Sequence, residues 1–238
     1  MISKPREAVG VDALPYDAKT FLTAVAVSAC VYRLIGVAAA LVGAFSSASI
    51  EVGLITMKLV ASLLILFFAI LAARIGGIFA SDSPRNADSP VRMIRSAIYD
   101  FGITMSTVSI FAAIWVRLLS KLEPDVSFAK QEAVTALLAT DSVFLRAILI
   151  CQAVVFAPIA EEIFFRGFVY KVLKNYGNGL AAIGATSFFF ALLHNNAVAF
   201  VPMFVLSVCL VKIYERDADI RGAIVVHSLF NLLNIARM

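Results

Sequence analysis

The sequence predicts an all-α protein, a polytopic membrane helix bundle of seven to eight transmembrane helices forming a single membrane domain over residues 1–238. Three observations carry that prediction. The chain is 61% hydrophobic and 15% charged with a mean hydropathy of +0.93, whereas a soluble domain has roughly a quarter of its residues charged. Its apolar residues fall in runs, several of them long enough to cross a ~30 Å hydrocarbon core, which takes about 20 helical residues. Its Lys and Arg gather mostly in the short breaks between runs. Despite a net charge of +4 and a pI near 9.0, that is the pattern of topogenic charge rather than of a nucleic-acid-binding face.

Taken in order, residues 1–20 carry Lys4, Pro5, Arg6, Glu7, Asp12, Asp17 and Lys19 with no apolar core before Phe21, so they read as a polar cytoplasmic tail and not as a cleavable signal. The N-terminal helices occupy 21–119. Segment one runs from about Phe21 to Phe45, with Arg33 inside it, and ends at the serine-rich turn 46–49. Segment two covers about Val52 to Ala80, with Lys58 and Arg74 near its ends. The polar loop Ser81 to Arg95, with Pro84 and Pro90, is the clearest break. Segment three, about Ala97 to Leu119, carries Asp100, read as a helix-start or surface pair near Arg95, and Arg117. The polar stretch Ser120 to Asp141 follows, with room for a short interfacial helix after Pro124.

The region 143–236 holds the remaining helices. Segment four spans about Val143 to Tyr170, five Leu180 to Asn195, six Val198 to Tyr214 and seven Gly222 to Ala236. A split of segment four at Pro158 would make the eighth helix, since proline removes a backbone donor and kinks or breaks a helix. Lys4, Arg6 and Lys19 before segment one, and Arg74, Arg85, Arg92 and Arg95 after segment two, place the N-terminus in the cytosol. The same alternation puts Lys171, Lys174, Lys212, Arg216 and Arg221 on the cytosolic side. No internal repeat is visible, which argues against an inverted-repeat carrier. Cys30, Cys151 and Cys209 are isolated in apolar segments and read as buried small hydrophobes.

Ionisable groups inside apolar helices are expensive unless paired or wetted, and each is a functional-site hypothesis. Segment four contains Pro158-Ile159-Ala160-Glu161-Glu162-Ile163-Phe164-Phe165-Arg166-Gly167. On a helix Glu162 and Arg166 share a face and can pair, while Glu161 is rotated by about 100° and points elsewhere. The only two histidines of the chain, His194 at the end of segment five and His227 inside segment seven, lie in the same C-terminal half. His227, Asn231 and Asn234 share a helix face that must meet another polar surface. Counting a rise of about 1.5 Å per residue from the cytosolic ends, Glu161 lies about 15 Å, His194 about 21 Å and His227 about 9 Å deep, compatible with one cavity.

Such a cavity suits water activation. A carboxylate in a low-dielectric pocket is a competent general base, a neutral imidazole orients water or protonates a leaving amine, and an amide stabilises an oxyanion. Two histidines with a glutamate also match a zinc set with an open position, although HExxH is absent and the ligands come from three helices. No serine or cysteine nucleophile has a sequence signature.

EExxxR (Glu161, Glu162, Arg166), FxxxH (Phe190, His194) and HxxxN (His227, Asn231), in that order on consecutive late helices, resemble the CAAX protease and bacteriocin-processing family, also called the CPBP or Abi intramembrane proteases. The resemblance covers about Val155 to Asn234. It implies a helical bundle whose cavity opens to the cytosol and holds a glutamate-activated water. In those terms the catalytic residues are Glu161 as general base, His194 sharing in water activation, and His227 and Asn231 on the oxyanion side. Glu162 and Arg166 support the helices, and Phe190 lines the site. It further implies a reaction without a cofactor, with Zn as the alternative. The expected partners are the lipid bilayer and a peptide or lipidated protein substrate, prenylated CAAX-type or otherwise hydrophobic, and no nucleic acid. A bacterial cytoplasmic membrane fits the chain length better than the endoplasmic reticulum. A non-catalytic binding or immunity protein of the same fold is the alternative reading.

Overall fold

The computed structural model describes residues 90–122, 142–176 and 178–238, and among them every regular element is helical. Five helices result: α1 (Pro90–Leu122), α2 (residues 143–176), α3 (Gly179–Leu193), α4 (Ala197–Asp217) and α5 (Ile220–Ala236). They correspond to segments three to seven. Segments one and two, with Arg33, Lys58 and Cys30, and most of the 120–141 stretch lie outside the described residues. Three described helices are long and apolar enough to cross a membrane, within α1 (Arg95–Leu122), α2 (Arg146–Asn175) and α4 (Ala197–Asp217). α3 has 15 residues and α5 has 17, so both are shorter than the span expected for segments five and seven.

The helix starts are set by side-chain caps that the hydropathy pattern does not weigh. Asn178 accepts from Ala181 N at 2.7 Å, Asn196 from Ala199 N at 3.0 Å and Asp219 from Arg221 N at 2.8 Å, each satisfying an otherwise orphaned backbone donor. Between α3 and α4 the chain turns through Asn195 at φ 46°, a left-handed conformation that asparagine tolerates. α4 closes on Ala218 at φ 51°, where glycine is usual. α1 starts at Pro90, seven residues before the expected Ala97, because proline at a first helical position costs no hydrogen bond.

Segment four is not split at Pro158: α2 is continuous, so this proline adds no eighth helix. The proline is accommodated by a π-helical stretch, Gln152–Phe156, immediately before it. There the N–H of Ala157 bonds to Gln152 O, five residues back, in place of the usual four. The wider turn relieves the clash between the proline ring and the carbonyl four residues earlier that would otherwise break the helix. A second π-helical stretch, Ile163–Tyr170, follows the glutamates.

α4 packs against the four other helices, and α5 lies against α1, α2 and α4. The core where they meet includes Phe165 and Phe168 of α2, Phe190 of α3, Leu206 and Leu210 of α4, and Val226 and Phe230 of α5. Phe188 and Phe189 face outward, as lipid-contacting side chains do, while Phe190 is fully buried. Cys209 is half-buried but Cys151 is exposed, contrary to the expected burial; in a bilayer an outward thiol meets hydrocarbon and loses little.

Polar groups gather at one end of the bundle. Asp100 near the start of α1, 6% exposed, receives two 2.7 Å bonds from Arg216 at the end of α4. It is therefore an interhelical partner and not a helix-start charge. Tyr170 and Lys174 of α2 both donate to Glu215 of α4, which also pairs with Lys212. The residues expected at the cytosolic face thus share one end of the fold. Towards the other end Trp115 of α1 donates its indole N–H to Ala197 O at 2.8 Å, at the start of α4.

Candidate active site

Glu161 and Glu162 sit on the α-helical stretch Ala157–Glu162, between the two π-helical stretches of α2. Glu162 is fully buried, and its Oε1 accepts from Arg166 Nη1 at 2.9 Å and meets His227 Nδ1 at 2.9 Å. Arg166, also fully buried, donates through Nη2 to Ser207 O at 3.0 Å and to Ser207 Oγ at 2.9 Å on α4. Its guanidinium carbon lies 5.1 Å from the centre of the Phe190 ring on α3, a cation–π arrangement. One side chain therefore touches α2, α3 and α4, and Glu162 adds α5.

A carboxylate only accepts, so at 2.9 Å the Nδ1–H of His227 donates to Glu162 Oε1 and the ring turns Nε2 towards Glu161. That nitrogen is 3.8 Å from Glu161 Oε2. The expectation that Glu161 points away from Glu162 is thus corrected: the two adjacent carboxylates approach opposite nitrogens of one imidazole. A 100° turn between neighbours separates their Cβ directions but not the ends of two long side chains converging on a ring between them. Glu161 Oε2 is buried and has no hydrogen-bond partner among the described residues, and the same is true of Glu162 Oε2.

His194 stands at the C-terminal cap of α3. Its Nδ1 is 2.7 Å from Phe190 O, so this ring too carries its proton on Nδ1 and leaves Nε2 free. Phe190 is the spacer between the histidines, with ring centres 4.8 Å from His194 and 5.8 Å from His227.

Asn231 is four residues after His227, and its amide donates to Ala153 O at 2.8 Å. The reason lies in Pro158. In the π-helical register the donor for Ala153 O is the N–H five residues on, which is position 158, and proline has none. Asn231 supplies the missing hydrogen bond from α5, keeping its second amide hydrogen and its carbonyl oxygen. Asn234, on the same face, turns back to Phe230 O at 2.9 Å.

The structure therefore brings Glu161, Glu162, Arg166, Phe190 and His227 into one contact network, with His194 joined through Phe190 and Asn231 one helical turn beyond His227. Sequence reasoning missed Ser207, a lone hydroxyl in the apolar run Val205-Leu206-Ser207-Val208, and the carbonyl of Ala153. The first had a visible signal; the second is legible only once the π-helical turn is known. Among the described residues no three His, Cys, Asp or Glu side chains are grouped to hold a metal ion, and both nitrogens of His227 already face carboxylates.

Apolar helices of spanning length around a buried carboxylate–imidazole site define an integral membrane protein with the groups of a hydrolase. The family model described as type II CAAX prenyl endopeptidase Rce1-like matches residues 143–233, which contain α2, α3, α4, most of α5 and every candidate site residue. The matched stretch is the one in which the three motifs resemble the CAAX protease family. No curated protein matches the chain, and no solved structure does.

Proposed function

We propose that the chain is an intramembrane endopeptidase that hydrolyses a peptide bond near the membrane with a water activated by Glu161. The observation that carries the reading is the buried Oε2 of Glu161, without a hydrogen-bond partner among the described residues and 3.8 Å from Nε2 of His227. That separation is too long for a direct hydrogen bond, and Glu161, whose side chain is 29% exposed, can take the proton of a water that reaches it from its open side. His194 presents its free Nε2 to share in orienting that water, and the second amide hydrogen of Asn231 serves the developing oxyanion. No step requires a metal.

The match to the type II CAAX prenyl endopeptidase model supports, as substrate, a prenylated CAAX-type or otherwise hydrophobic peptide end. The distribution of Lys and Arg supports a cytosolic N-terminus, and the bacterial cytoplasmic membrane is carried over from the family resemblance. Purified protein in detergent should cleave a quenched prenylated CAAX peptide, and Glu161→Ala and His194→Ala should abolish cleavage while a chelator does not. Undiminished cleavage by either variant removes this reading.

A further inference from the structure

At the polar end of the bundle two lysines from different helices share one carboxylate. Lys174, near the end of α2, donates to Glu215 Oε1 at 2.9 Å, and Lys212, one turn before Glu215 on α4, donates to Oε2 at 3.0 Å. Tyr170 also donates to Oε1, so three donors fix the carboxylate, which in turn holds the two ammonium groups side by side. Lys174 is placed further by the Tyr170 ring, whose centre lies 5.3 Å from its Nζ, and that ring meets Tyr214 edge to face.

Two ammonium groups against one carboxylate leave a single surplus positive charge. The arginines of α4 and α5 at the same end have no such surplus: Arg216 is shared between Asp100 and Asp217, and Arg221 is bound to Asp219. The lysines are also the open part of their group. Their side chains are 50% and 57% exposed against 22% for Glu215, so the carboxylate lies beneath and the ammonium groups face out. Each ammonium has three N–H donors and, among the described residues, spends one of them on Glu215.

Position selects the ligand. The apolar spans of α2 and α4 run over Arg146–Asn175 and Ala197–Asp217, so both lysines and both tyrosines stand in the last turns of their spans. There a bilayer presents its headgroups, and there tyrosine and lysine side chains collect. A phosphodiester matches this place in charge and in shape. Its one negative charge equals the surplus, and its two unesterified oxygens can each take an N–H from one ammonium, as the two oxygens of Glu215 do from below. A choline or ethanolamine headgroup would set a further cation beside the lysines, so the match is to an anionic lipid.

We propose that Lys174 and Lys212, held by Glu215 and Tyr170 between α2 and α4, form a headgroup site for an anionic phospholipid of the phosphatidylglycerol type. Basic groups between membrane helices at headgroup level bind such lipids. The site lies roughly three turns along α2 from Glu161, and it stands whether or not the chain cleaves a peptide.

The test uses the full chain, purified in detergent and stripped of lipid, with dioleoyl phosphatidylglycerol, dioleoyl phosphatidylcholine and inorganic phosphate as separate ligands. Native mass spectrometry counts bound lipid, and the thermal unfolding midpoint reports the stabilisation that binding confers. Phosphatidylglycerol should bind and raise the midpoint, whereas phosphatidylcholine and inorganic phosphate should leave it unchanged. Lys212→Ala, which keeps the Lys174 bond between α2 and α4, should weaken phosphatidylglycerol binding about fivefold, the worth of one lysine near a membrane surface, and Lys174→Ala with Lys212→Ala about thirtyfold. Replacing both lysines by arginine keeps the charges and should preserve binding. Arg95→Ala with Arg221→Ala removes as much charge from the same end and should change it little. Wild-type binding by the lysine-to-alanine variants, an equal loss in the arginine pair, or equal stabilisation by phosphatidylcholine or inorganic phosphate overturns the proposal.

Discussion

Replacing Asn231 by alanine should destabilise the protein through a carbonyl 78 residues away in sequence, and replacing Pro158 should cancel much of that cost. In the wild type Ala153 O takes its hydrogen bond from Asn231 Nδ2 at 2.8 Å, because the π-helical turn assigns it the backbone donor that Pro158 lacks. Asn231→Ala leaves that carbonyl without a donor inside the bundle, a loss of about 1–3 kcal/mol. In Pro158→Ala the position regains an N–H, so the same Asn231→Ala change removes a second donor rather than the only one and costs about 1 kcal/mol or less. The cycle of four proteins therefore carries a coupling of roughly 1–2 kcal/mol, above the ~0.5 kcal/mol within which independent sites add. Unfolding in detergent micelles, by heat or denaturant, measures it. Additive effects would refute the assignment of Asn231 as the donor that Pro158 lacks, as would a greater loss for Asn231→Ala in the Pro158→Ala background.

Two further perturbations probe the ion pairs. Arg166→Met leaves the buried Glu162 carboxylate without its cation and Ser207 without its donor, so unfolding should become easier by about 3–5 kcal/mol. Lys174→Ala, at a pair whose lysine is half exposed, should cost no more than about 1 kcal/mol; similar losses in the two variants would contradict the burial argument. Asp219, at the N-cap of α5, is subject to burial, which raises its pKa, but the bonds from the Arg221 side chain and backbone N–H outweigh it and hold the carboxyl below its ordinary value. Its contribution is present above the unfolded carboxylate pKa and is lost as pH falls through the lower folded value. Asp219→Asn should therefore flatten the acid limb of a stability–pH curve, and an unchanged limb would count against the linkage.

What the sequence revealed and what it concealed divide along a physical line. Hydropathy placed the described helices to within about seven residues at their ends, because long apolar runs in a membrane protein have one stable backbone solution. The chemistry-bearing residues were visible for a related reason: a charge or imidazole in an apolar helix stands out by its cost. The relation of Glu161 to Glu162 was not legible, because it depends on how long side chains converge on a ring contributed by α5. Nor was the partner of Asn231, since a π-helical turn changes which carbonyl lacks a donor and leaves no mark in the hydropathy. Asp100 pairs with a residue 116 positions away, beyond any local pattern.

The short helices place irregular backbone, and the candidate site beside it, within the depth of a membrane. From the polar end, where Asp100 meets Arg216, a rise of about 1.5 Å per residue puts Trp115 about 22 Å along α1, and the 15 residues of α3 put His194 at about the same depth. Both lie within a hydrocarbon core of ~30 Å, where an irregular turn is tolerated only against protein or a water-filled cavity. The turn after α3 meets that requirement group by group: Asn196 caps Ala199 N, Trp115 donates to Ala197 O, and His194 Nδ1 donates to Phe190 O. Ending α3 there frees His194 from continuing a span. The imidazole is instead held at a helix end beside Phe190.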